Sequence, residues 1–236
     1  MIETAHPKTI PICSTKYYQT RLSGANNISQ DREVVSRQAH NLKTDGAIPS
    51  PATTRRSLMQ VKHLYHSFRH WYRGGTIFFY SDPHFSDIEA NAFRANPITD
   101  DDQVKSINSV LGKKDTIIIL GDIGNPEFLK QIKGYKVLLL GNHDKGASFY
   151  KDYVDEVFEG PLMISHKILL THEPVEFKYA YNIHGHDHSK TTYQDDKHLN
   201  ICAEHINYKP IKLKDIVTSG KLSKIPDIHN VASSSK

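Results

Sequence analysis

From Gly75 onward the apolar positions fall in short runs that end in turn-forming residues. Thr76–Tyr80 (TIFFY), Thr116–Leu120 (TIIIL), Lys136–Leu140 (KVLLL), Leu162–Ser165, Lys167–Thr171 (KILLT), Tyr181–His184 and Leu199–Cys202 are predicted as strands. Several are apolar at consecutive positions, the pattern of strands covered on both faces. Between the first two, Val104, Ile107, Val110 and Leu111 recur at helical spacing and predict a helix over Asp100–Leu111, with Thr99 or Asp100 as its N-cap. A second short helix is predicted over Pro126–Lys133, with Pro in its first turn and Gly134 behind it. Strands alternating with helices predict an α/β layered fold. The later strands lack long helices between them and predict a second, more antiparallel sheet packed on the first.

Upstream, Leu58, Val61, Leu64, Tyr65, Phe68 and Trp71 follow spacings of three and four, which predicts a basic amphipathic helix over Arg55–Arg73. Its other face carries Arg55, Arg56, Lys62, Arg69 and Arg73, with His63, His66 and His70 between them, and Gly74 and Gly75 end it. Residues 1–54 are polar without a period and are expected to be a loosely ordered extension. Residues 74–222 then form the main domain, and 223–236, closing in SSSK, a frayed tail.

Composition narrows the class. The chain has 236 residues, 38% of them hydrophobic, enough for a core. No apolar stretch approaches the roughly 18 residues of a membrane span, and MIETAHPKTI lacks the apolar core of a secretory signal, so a soluble, cytoplasmic protein is expected. The two cysteines, Cys13 and Cys202, make neither a disulfide framework nor a thiolate metal site. Residues 1–73 carry a net charge of +7 and the remainder −3, a basic appendage on a mildly acidic body. The unusual figure is 15 histidines.

Six of those histidines fall where the strands end. TIFFY leads to Asp82-Pro83-His84, TIIIL to Gly121-Asp122, and KVLLL to Gly141-Asn142-His143-Asp144. KILLT leads to His172, and YNI to His184-Gly185-His186-Asp187-His188. In an open α/β sheet the loops beyond the carboxyl ends of the strands share one crevice, so the five clusters are expected to converge. Carboxylates, imidazoles and an amide without thiolates suit Mn²⁺, Fe²⁺, Zn²⁺ or Ni²⁺, and seven such side chains are too many for one ion.

The set Asp82-x-His84, Gly121-Asp122, Gly141-Asn142-His143-Asp144, His172 and Gly185-His186-x-His188 resembles the motifs of the calcineurin-like metallophosphoesterase superfamily over about Gly75 to Ile216. The segment "LNICAEHINYKPIKLKDI" also looks like the closing strand and helix of its small bacterial and phage members. The resemblance implies a four-layer α-β-β-α sandwich of two packed mixed sheets. It also implies two divalent ions, Mn²⁺ foremost. Asp82, His84 and His188 would hold one ion, Asn142, His172 and His186 the other, with Asp122 bridging. A hydroxide between the ions would attack a phosphodiester while His143 assists the leaving group and Asp144 orients His143. The Asp and Arg that extend the second motif in Ser/Thr phosphatases are absent after Gly121-Asp122, which argues against a protein phosphatase. The expected substrate is a small, nucleotide-like phosphoester. The alternatives are a nuclease that draws nucleic acid in through the Arg55–Arg73 helix, and a non-catalytic metal-binding scaffold.

Overall fold

In a computed structural model the residues described are 62–189 and 195–227; the expected N-terminal extension, residues 55–61 of the expected helix and the end of the expected tail lie outside them. Nine strands follow in chain order: β1 (Ile77–Tyr80), β2 (Thr116–Ile119), β3 (Tyr135–Leu139), β4 (Glu156–Phe158), β5 (Leu162–Ser165), β6 (Ile168–Leu170), β7 (Tyr181–His184), β8 (His198–Asn200) and β9 (Ile211–Lys212). The helices are α1 (Ile88–Ala92), α2 (Asp100–Asn108), α3 (Leu213–Thr218) and α4 (Lys221–Lys224). They build a mixed α/β fold with two mixed sheets, ordered β4-β3-β2-β1-β9 and β5-β6-β7-β8.

The first sheet is parallel from β1 to β4, with β9 antiparallel on its edge. Its faces separate by the two-residue period of a strand. Phe79, Ile118, Val137 and Leu139 meet Ile164, Ile168, Leu170, Tyr181 and Ile183 of the second sheet in one core. Phe78, Tyr80, Ile117, Ile119 and Leu138 meet Val104 and Ile107 of α2, together with Leu129, Ile132 and Tyr150, in another. Strand β2 is buried at all four positions because both faces are covered. Each such side chain taken out of water contributes about 1.5–3 kcal/mol, so the centre of this sheet is a rigid floor.

Three expectations change. The second sheet is not mainly antiparallel: only β5 and β6 form an antiparallel pair, whereas β6–β7 and β7–β8 are parallel. Because β6, β7 and β8 run parallel, their carboxyl ends point the same way. The predicted helix over 55–73 does not run on through its described part. Tyr65 is extended (ψ 153) and donates its N–H to the Ile164 carbonyl at 2.8 Å, so that bond replaces a helical one. A six-residue 3-10 helix, His66–Trp71, follows. The apolar spacing still marks burial, since Leu64 and Trp71 enter the core. Finally, the short helix expected over Pro126–Lys133 is present as a shorter 3-10 helix, Pro126–Gln131, capped by the Asn125 side chain. The helix expected over Asp100–Leu111 is present, with Thr99 accepting from Asp102 N–H as its cap.

Candidate metal centre

The strand ends converge as expected. Asp82 and His84 follow β1, Asp122 follows β2, Asn142 and His143 follow β3, His172 follows β6, and His186 and His188 follow β7. Pairing continues past β1 and β2, with Asp82 N–H on Gly121 O, His84 N–H on Asp122 O and Phe85 N–H on Ile123 O. This extension locks a backbone that would not be adopted freely. Asp82, His84, Asp122 and His186 all lie in the left-handed region, at φ 52, 46, 55 and 66. For residues with a Cβ this costs about 1–3 kcal/mol each and persists only where surrounding bonds over-determine it. Asp82, His84 and Asp122 are held by this extension, and His186 by its N–H on Asp82 Oδ2 at 3.0 Å.

Each carboxylate satisfies one oxygen within the protein and presents the other. Asp82 Oδ2 accepts from Ser81 Oγ, from His186 N–H (3.0 Å) and from the Cys202 thiol (3.4 Å). Asp82 Oδ1 stands 3.9 Å from His84 Nε2 and 3.6 Å from His188 Nε2. Asp122 Oδ1 accepts from His143 N–H at 3.0 Å, while its Oδ2 lies 3.6 Å from His84 Nε2 and 3.4 Å from His172 Nε2. Beyond it, Asn142 Oδ1 is 2.7 Å from His172 Nε2 and 3.0 Å from His186 Nδ1. The atoms therefore form two groups. Asp82, His84 and His188 make one, Asn142, His172 and His186 the other, and Asp122 Oδ2 borders both.

Two close approaches depend on glycine. A Cβ on Gly185 would run into the Ser81 and Asp82 side chains, and one on Gly141 into the Asp122 carboxylate.

The residues fit a cation on grounds independent of the motifs. Asp82 Oδ1 and His84 Nε2 are buried without a hydrogen-bond partner, which costs free energy unless a ligand meets them. The histidines are also oriented from behind, as metal-binding imidazoles are. His84 Nδ1 faces Asp87 at 3.2 Å, His172 Nδ1 faces the Leu120 carbonyl at 2.7 Å, and His188 Nδ1 faces Glu204 at 2.6 Å. In each case Nε2 is left pointing into the cluster. Burial opposes a charge on His172, yet its bond to Asp122 and the nearby Asp82 carboxylate push it up to about 9. Without a metal, a proton occupies that negative potential. Burial dominates at His84 and lowers it, with Asp82 and Asp122 pulling the other way. The Cys202 thiol is pushed well up by burial and by Asp82 and Glu204, so it remains a thiol.

Asp144 is corrected. It does not orient His143: its Oδ2 accepts from the backbone N–H groups of Asp122 and Gly141, and its Oδ1 from Ile123 N–H and the Tyr150 hydroxyl, all at 2.8–2.9 Å. It braces the Asp122 loop against the Asn142 loop. His143 itself is exposed, and its ring lies edge-on to His84 at 5.7 Å between centroids. Asp144→Ala strands three N–H donors and is expected to cost on the order of 3 kcal/mol in denaturant unfolding, with Asp144→Asn costing less. Unchanged stability in Asp144→Ala would remove the brace.

His184 Nδ1 lies 2.8 Å from the Gly185 carbonyl. It shares a face of the second sheet with Asn200, opposite Ile183, and packs edge-on to His198 with ring centroids 6.2 Å apart. Sequence reasoning missed Asp87, Arg94 and Glu204. Asp87 carried a usable signal, three residues after His84; Arg94 and Glu204 are brought in only by tertiary pairing, through the Ser81–Cys202 bridge for the latter. A cleft of about 340 Å³ opens beside Asn142 and His172, floored by Leu139, Leu140 and Val175 and rimmed by Glu159 and Glu173.

No protein-family model matches the chain. The uncharacterized protein MJ1445 from Methanocaldococcus jannaschii is 29% identical over 167 residues, which span 60% of this chain and 89% of that protein. Among solved structures, the protein of unknown function AQ665 from Aquifex aeolicus is similar at a TM-score of 0.48 and 25% identity, covering 61% of this chain and 98% of its own. Neither relative brings a named activity to this chain.

Proposed function

We propose that this protein is a dinuclear metal-dependent phosphoesterase of the calcineurin-like kind that hydrolyses phosphodiesters. The observation carrying the reading is the convergence of Asp82 Oδ1, His84 Nε2 and His188 Nε2 on one side of Asp122 Oδ2, and of Asn142, His172 and His186 on the other. Two divalent ions, Mn²⁺ foremost among Mn²⁺, Fe²⁺, Zn²⁺ and Ni²⁺, would supply a water acidic enough to attack at neutral pH and positive charge against the phosphoryl oxygens. The chain's own residues do the remaining work. Asp144 and Tyr150 fix the turn that carries Asn142 and His143, and exposed His143 at the mouth gives its proton to the departing alcohol. The cleft beside Asn142 and His172 seats an esterified group. In this reading the two sheets are the inner layers of a four-layer sandwich.

The nuclease alternative leans on the basic segment, where exposed His70 already has an acidic partner in Glu156 at 2.7 Å and exposed Arg73 stacks on Tyr135 at 4.7 Å. Stripping the protein with a chelator and restoring Mn²⁺ is expected to return about two equivalents per chain and hydrolysis of a chromogenic phosphodiester. A protein that holds two ions but cleaves no phosphoester is the scaffold alternative, and one that retains no ion after reconstitution ends the metal reading.

A further inference from the structure

We propose that Arg94 and Glu204 are positioning residues, a buried ion pair that aims His188 and thereby sets one of the two cation positions. The proposal rests on the metal reading of the centre given above. The side chains are 1% and 7% exposed, and Arg94 Nε faces Glu204 Oε2 at 3.7 Å. Removing such a pair from water costs several kcal/mol per ion, and an apolar pair of the same volume would serve stability as well or better. The bonds these groups make show where that cost is directed. Glu204 Oε1 holds His188 Nδ1 at 2.6 Å and leaves Nε2 facing Asp82 Oδ1. Arg94 Nη2 donates to the Asp82 carbonyl. Its Nη1 reaches Gln103 Oε1 at 3.5 Å, and the Gln103 amide in turn donates to the Pro83 carbonyl at 3.0 Å.

Both ends of one ligand group therefore depend on a single guanidinium: the backbone that carries Asp82, and the carboxylate that turns His188. The pair is poor as a salt bridge, since Arg94 Nε and Glu204 Oε2 are buried and make no hydrogen bond to each other or elsewhere. As a support it is well placed. Among the described residues the other ligand group has no such ion pair behind it: His172 is turned by the Leu120 carbonyl, and Asn142 and His186 are exposed. A change at Glu204 should consequently reach one cation position and spare the other.

The test uses the full chain, stripped of metal and titrated with Mn²⁺ by calorimetry. Glu204→Gln keeps the shape and removes the charge; it is expected to weaken one of two equivalents by about 10–100-fold and leave the other unchanged. Arg94→Lys, which keeps the charge but cannot reach both the Asp82 carbonyl and Gln103 as the guanidinium does, is expected to weaken the same equivalent by less. Thermal unfolding of the metal-free variants supplies the fold control, and nitrogen-15 NMR of His188 supplies a readout without metal. The wild type is expected to carry its proton at Nδ1, and Glu204→Gln to lose that preference. Unchanged binding in Glu204→Gln, parallel loss of both equivalents with a fall in Tm, or an unaltered His188 resonance would each overturn the proposal. Should the wild type bind no ion while His188 responds as stated, the metal reading fails and the positioning role stands.

Discussion

Asp122→Ala is expected to abolish phosphodiester hydrolysis and to strip both metal equivalents, a larger loss than any other single ligand substitution. The reason is geometric. Among the described residues Asp122 Oδ2 is the carboxylate oxygen that faces histidine side chains of both groups, 3.6 Å from His84 Nε2 and 3.4 Å from His172 Nε2. Removing a single electrostatic donor from an active site costs about 10²–10³ in rate, and here two positions are dismantled together. Asp82→Ala, by contrast, should leave the Asn142, His172 and His186 group able to hold an ion. Metal analysis beside a rate assay separates the cases, and an Asp122→Ala protein that still carries two equivalents would end the bridging role.

The same substitution has a signature in the metal-free protein. His172 is raised from 6.5 to about 9, with burial opposing and Asp122 and Asp82 driving the rise. A raised histidine stabilises the fold in full below its unfolded value, and that contribution disappears as pH climbs through the folded value. Metal-free wild type should lose stability between about pH 6.5 and 9, and Asp122→Ala should show a flatter profile over that window. Equal slopes would mean that Asp122 does not hold the His172 proton.

His143→Ala should act in the opposite manner, keeping both metal equivalents while kcat falls by about 10²–10⁴, the range of a lost general acid. His143 belongs to neither ligand group; its backbone N–H bonds Asp122 Oδ1 and its ring stays exposed beside His84. The alanine variant retains that backbone bond, so the centre should remain assembled. The loss should be steep for a poor leaving group such as an alkoxide and slight for a nitrophenolate, which needs no proton. Equal losses for both leaving groups would take the proton-donor role away from His143.

What the sequence by itself determined was local. Apolar runs placed seven of the nine strands among the described residues to within about a residue or two, and the residues after them supplied the seven ligand candidates that meet in the two groups. This works because strand burial and ligand chemistry are written in neighbouring positions, and because loops at one end of parallel strands must share a crevice. Asp144 shows the limit of that reasoning. Its neighbourhood to His143 suggested a partner, but its carboxylate reaches back to Asp122, Ile123 and Gly141, which only the packing of two loops brings within reach.

The tertiary structure decided whatever depends on pairing between distant segments. Strand β4 is three residues long and β9 two, too short for a period, and each exists because a neighbour's backbone is free to receive it. The parallel course of β6, β7 and β8 is set by backbone pairing between strands, which no local pattern specifies. Tyr65 leaves the helical pattern because the Ile164 carbonyl takes its N–H. Arg94 and Glu204, 110 positions apart, become one ion pair only once Cys202 bridges to Ser81 at the end of β1. Ligand identity is a short-range property of this chain; the aim of those ligands is set by long-range contacts.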